Sequence, residues 1–161
     1  MVSEQTRVRR GFVRTSLGQL HYRTAGDGPP LVLLHNTWLS SRMFGAVLPQ
    51  LAREFQVVAI DTLGQGHSDP APPREMAIAE YAGVLHEALD GLGLEQPAIA
   101  GQATGAVIAA EATAQAPERV RRLPSRRSGQ ASLSRPAGVG GRRPRRREEV
   151  VPSDPTGTEN G

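Results

Sequence analysis

Between residues 10 and 120 the chain alternates two hydrophobic rhythms: short continuous apolar runs, and longer stretches with an apolar residue every three or four positions. The runs "PPLVLLHN", "FQVVAID" and "QPAIAG" read as strands buried on both faces, because a strand with one wet face would alternate instead. Before them, "GFVRTSL" and "QLHYRTAG" read as a hairpin turning around Gly18. Ser40 and Ser41 can cap a helix over about 41–54, with Met43, Phe44, Val47, Leu48 and Leu51 on one face. Ile78, Tyr81, Leu85, Leu89 and Leu92 stripe the next helix, which Gly91 and Gly93 end. The third buried run leads through small residues into an alanine-rich helix that stops near Pro117. Strands alternating with helices predict an α/β fold, a mostly parallel sheet with helices on both faces.

The pattern stops after Leu123. From Pro124 to Gly161 the only apolar residues are Ala131, Leu133, Ala137, Val139, Val150 and Val151, too few to offset the entropy of ordering the segment. Two regions are therefore expected: a folded part, 1–123, and an Arg/Pro/Gly-rich disordered tail, 124–161. Pro124 also removes a backbone donor where a central strand would need one. The abruptness of the change fits a frameshift or fusion near residue 123. The net charge of +3 is lopsided: residues 1–123 hold 11 Arg against 12 acidic residues, and the tail holds 8 Arg against 4.

The chain has no cysteine, which excludes disulfides, thiolate catalysis and cysteine-ligated zinc. Its start lacks a secretory apolar region, and its apolar runs are too short to span a bilayer, so a soluble, cytoplasmic protein without membrane contact is expected. The run Arg142-Arg143-Pro144-Arg145-Arg146-Arg147 has no interleaved aromatic for base stacking and is followed by Glu148 and Glu149, so nucleic-acid binding is not expected. Gly64-Gln65-Gly66-His67-Ser68-Asp69 lacks the third glycine and the following helix of a dinucleotide loop and reads as a structural turn. Asp61 and Asp69 read as braces for that turn. His67 and His86 stand alone in sequence; no metal site and no cofactor are expected.

The stretch "AIAGQATGAVIAAEA" carries the sharpest signal. It has the form of a strand, a glycine-flanked corner and a helix start, which is how a reactive side chain is lifted out of a sheet, yet Ala103 stands at the apex. Four stretches together resemble the α/β-hydrolase fold family: "LVLLHNTW" its strand and oxyanion loop, "VVAIDTLGQGHSDP" its D-x-x-G-x-G-x-S-D loop, "LSSRMFGAVLPQLARE" the helix between, and "AIAGQATGAVIAAEATAQAPERVRRL" the nucleophile strand, elbow and helix. The resemblance covers about residues 10–123, the N-terminal half of that fold.

The resemblance implies an elbow of Gly101, Gln102, Ala103, Thr104 and Gly105 with Ala103 in the nucleophile position. It implies an oxyanion hole from the backbone N–H of Thr37 or Asn36 and that of Thr104, with His35 bracing the loop. Asn36 stands where the family usually has glycine, at a position where unusual backbone angles are expected. A methyl group cannot attack carbon, and no histidine follows His86 to serve as the base. The expected protein is thus a hydrolase by ancestry, for esters or related small-molecule bonds, inactive as it stands because nucleophile, acid and catalytic histidine are missing. The alternatives are a non-catalytic binding or interaction protein, and a half-enzyme completed by a partner chain. "PAIAG" is expected near an exposed sheet edge open to self-association.

Overall fold

The computed structural model describes residues 6–121. The expected tail, 124–161, and the break at Leu123 lie outside the described residues.

Five strands form one mixed sheet in the order β1-β2-β4-β3-β5: β1 (Arg9–Thr15), β2 (Gly18–Ala25), β3 (Pro30–Leu34), β4 (Gln56–Ile60) and β5 (Ala98–Gly101). β4, β3 and β5 run parallel to one another, whereas the β1–β2 hairpin joins antiparallel to β4. The hairpin turns at Gly18, whose φ of +132° a side chain would resist. The parallel part is the expected sheet of buried apolar runs.

Successive residues of β3 and β4 bury on opposite faces. Val32, Leu34, Val58 and Ile60 join one core with Leu85, Leu89 and Ile108, while Leu31, Leu33, Val57 and Ala59 join a second with Leu48 and Ala52. Each fully buried Leu or Ile contributes roughly 1.5–3 kcal/mol of transfer free energy, so two-sided burial is what holds these short strands. The first core lies under α2 (Ile78–Gly91) and α3 (Thr104–Gln115).

α2 follows its sequence stripe. Glu80 reaches back to the Ala77 N–H at 2.9 Å and pairs with Arg74, whose guanidinium holds the Glu80 carboxyl down to about 2. At the far end Gly93, at φ +63°, donates to Asp90 O, and Leu94 donates to Leu89 O, a Schellman closure.

The helix expected over 41–54 is broken instead. A 3-10 turn, Ser41–Phe44, is capped by the Ser40 hydroxyl, and a single helical turn, α1 (Leu48–Leu51), follows. Pro49 is the reason: it has no N–H to bond back to Gly45 O, and its ring crowds that carbonyl. Val47, expected on the apolar face, is consequently exposed, while Leu48 is buried.

Candidate functional site

β3, β4 and β5 end side by side, and the loops leaving their carboxyl ends lie at one end of the sheet. That is where open α/β sheets place ligands. Leu34 is in register with Gly101 and with Ile60, so the loops beginning at His35, Asp61 and Gln102 start as neighbours.

The turn after β5 is tight. Gln102 N–H donates to Leu34 O, Gly105 N–H to Gln102 O, and the Ala106 and Val107 N–H groups to Ala103 O. Ala103 has φ 48° and ψ −115°, a conformation that L-residues avoid and that costs of order 1–3 kcal/mol. The flanking glycines are steric necessities. A Cβ on Gly101 would lie 2.3 Å from the Gly105 carbonyl carbon, and one on Gly105 would lie 2.3 Å from Leu34 O. The turn thus presses α3 onto the end of β3, and the exposed Ala103 side chain stands at its apex.

The loop after β3 is fixed from within. His35 is buried, its Nδ1–H donates to Asn36 O at 2.7 Å, and its Nε2 accepts the Thr62 N–H at 3.0 Å. Both ring nitrogens are therefore occupied in holding backbone. The positive φ in this loop falls at Trp38 (66°), not at Asn36. This corrects the expectation for Asn36: Leu39 N–H donates to Asn36 O, which makes Asn36 the first residue of a β-turn and Trp38 the third, where positive φ is normally a glycine's task. Trp38 N–H is tied to Gln65 Oε1 at 3.0 Å, while the indole is 87% exposed.

The two loops meet at Thr37 and Thr104, whose hydroxyl oxygens are 2.6 Å apart. Both residues line a cavity of about 130 Å³ with His35, Thr62, Tyr81 and Ile108. Thr104 is the first residue of α3, where backbone N–H groups have no intrahelical acceptor. Among the described residues no acceptor is found for the Thr37 or Thr104 N–H. The cavity lining thus combines a hydroxyl pair with an apolar side of Leu63, Tyr81 and Ile108.

The loop after β4 begins with a buried carboxylate, Asp61. Asp61 accepts from the backbone N–H groups of Ser41 and His67 and from His21 Nδ1–H at 2.9 Å. Burial pushes its carboxyl up, but those hydrogen bonds outweigh it and hold the group below the ordinary carboxylate range. Ser68 Oγ donates to Asp61 O and accepts the His21 N–H, and Asp69 and Gln19 exchange hydrogen bonds between loop and β2. His21 drew no attention in the sequence. Its role depends on β2 pairing with β4, with Asp61 N–H donating to His21 O, and no local pattern announces that pairing. His67 is likewise not alone: its ring lies 4.9 Å from that of His21. His86, in α2, turns elsewhere and bonds Ala112 O of α3.

Comparison with known proteins agrees with this fold. The sequence profile of the alpha/beta hydrolase fold matches residues 29–147, which includes positions beyond Leu123. The chain belongs to the alpha/beta hydrolase fold family. It is 34% identical over 107 residues to haloalkane dehalogenase 2 of Mycobacterium tuberculosis, covering 66% of this chain and 37% of that protein. Carboxylesterase YbfK of Bacillus subtilis is 32% identical over 114 residues, 69% of this chain and 38% of that protein. The crystal structure of the latter enzyme superposes with a TM-score of 0.66 at 30% identity, over 71% of this chain and 41% of the other. The chain thus spans about two-fifths or less of the length of the relatives it matches. Among the described residues no helix is long and apolar enough to cross a membrane.

Proposed function

We propose that this chain carries the binding half of a hydrolase site for small esters or related acyl compounds, and that it does not turn them over by covalent catalysis. In this reading Gly101–Gly105 is the nucleophile elbow. Ala103 holds the nucleophile position and is itself unreactive. The N–H groups of Thr104 and of Thr37 or Asn36 form the oxyanion hole, with His35 and Asp61 bracing the loops around it. The observation that carries the reading is the backbone of Ala103, held at φ 48° between two glycines that tolerate no Cβ. A turn this strained is the geometry by which the family exposes a nucleophile. Relatives named as a carboxylesterase and a haloalkane dehalogenase support bond hydrolysis in small molecules as the ancestral chemistry.

Without a hydroxyl at the apex no acyl-enzyme can form there. Two N–H groups aimed at a carbonyl oxygen would bind and polarise it without a group to attack the carbon. The test is hydrolysis of an activated aryl ester by the native chain and by Ala103→Ser. The reading expects the native chain to match an unrelated control protein and Ala103→Ser to gain little, since His35 is committed to backbone on both nitrogens. A native rate orders of magnitude above the control would overturn it.

A further inference from the structure

His21, Asp61 and His67 present three ligand atoms of the kind that bind a transition-metal ion, and nothing in the hydrolase reading uses them for that. Asp61 Oδ2 lies 2.9 Å from His21 Nδ1 and 3.8 Å from His67 Nδ1, and all three atoms fall within 4.8 Å of one another. Ligands about 2.1 Å from a tetrahedral ion stand about 3.4 Å apart, so the observed set brackets what such an ion requires. The His21–Asp61 pair must open slightly and the His67 ring close in, and His67 is the member free to adjust: its side chain is 55% exposed, whereas those of His21 and Asp61 are buried.

We propose that His21 Nδ1, Asp61 Oδ2 and His67 Nδ1 form a binding site for a divalent ion of the zinc type, with water completing the coordination. Two imidazoles and one carboxylate suit zinc, copper or nickel and not magnesium, which demands oxygen ligands. The ion enters from the exposed His67 side. It replaces the proton that His21 Nδ1 now shares with Asp61, and that proton moves to Nε2, leaving the imidazole neutral. The backbone N–H bonds from Ser41 and His67 already orient Asp61, as the supporting contacts of metal-binding carboxylates do. The expected role is structural: β2 would be pinned to the loop after β4, the loop whose Thr62 N–H holds His35.

The experiment is calorimetric titration of the untagged full chain with zinc chloride, and in parallel with magnesium chloride, together with a melting curve with and without zinc. The native chain should bind one zinc ion saturably, melt at a higher temperature with zinc, and ignore magnesium. His67→Ala keeps the backbone N–H that Asp61 uses, so it should fold normally, and it should lose zinc affinity at least about tenfold along with the melting shift. His86→Ala should bind as the native chain does. No zinc binding, equal binding of magnesium, or zinc binding unchanged in His67→Ala would overturn the proposal.

Discussion

Thr37 Oγ1 and Thr104 Oγ1 lie 2.6 Å apart although the residues are 67 positions apart in the chain. One leaves the end of β3 and the other opens α3, so the pair ties together the two loops that meet at the cavity. Each hydroxyl supplies the other's partner. Thr104→Val should therefore destabilise the fold by about 1 kcal/mol, because the Thr37 hydroxyl loses its acceptor or donor. The double variant Thr37→Val/Thr104→Val should cost less than the sum of the singles. Urea denaturation of the four proteins measures the coupling, and strict additivity would mean the pair does not form.

The backbone around Ala103 makes opposite predictions for neighbouring positions. Gly101→Ala and Gly105→Ala place a methyl within 2.3 Å of backbone and should each cost about 3 kcal/mol or more, or prevent folding. Gly83, inside α2 with nothing within 4 Å of its Cβ position, should gain about 0.5–1 kcal/mol on change to alanine. Ala103→Gly should also stabilise, by about 0.5–1 kcal/mol, since glycine tolerates φ 48°. Thermal melts of the set decide; a stabilised Gly105→Ala would remove the tight turn from the account.

Asp61 sets an acid limit on stability. Its carboxyl titrates lower folded than unfolded, so it contributes stability above its unfolded value of about 3.9, and that contribution is lost as pH falls through the lower folded value. Asp61→Asn should thus be clearly less stable than the native chain at pH 7, with the gap narrowing once the pH falls below about 3.9. Urea midpoints at neutral and acid pH test this, and a gap of equal size at both would contradict it.

The outer side of β5 should make the chain associate. Among the described residues β5 pairs only with β3, and Ala100 and Gly101 are exposed. Arg121 N–H donates to Pro97 O at the start of the strand, and among the described residues no other backbone bond to that edge is found. Edges of this kind template pairing with other chains. Sedimentation at micromolar concentration should show self-association of both the full chain and a 1–123 truncation, whereas a monodisperse monomer would show that the edge is closed.

The strands were legible because two-sided burial leaves continuous apolar runs, and "PLVLL", "QVVAI" and "AIAG" fall within the runs expected of them. α2 was legible down to its glycine ending. The helix after β3 was not, since its apolar spacing is helical and only the geometry of Pro49 breaks it. At the site, the turn around Ala103 could be read from Gly101 and Gly105, because small residues on both sides of one position imply close backbone approach. The strain at Trp38 could not, as a tryptophan gives no sign of positive φ. Nor could the meeting of His21 with Asp61 and His67, which depends on strand order.

The central claim is that the turn at Ala103 retains the family's geometry without a nucleophile. Intact-mass spectrometry after exposure to a fluorophosphonate, which labels activated hydroxyls, tests it most directly. The native chain should remain unmodified, because the apex is a methyl and the nearest hydroxyl, on Thr104, is bonded to Thr37. A stoichiometric adduct mapping to residues 101–105 would show that an activated nucleophile exists in that turn and would contradict the account.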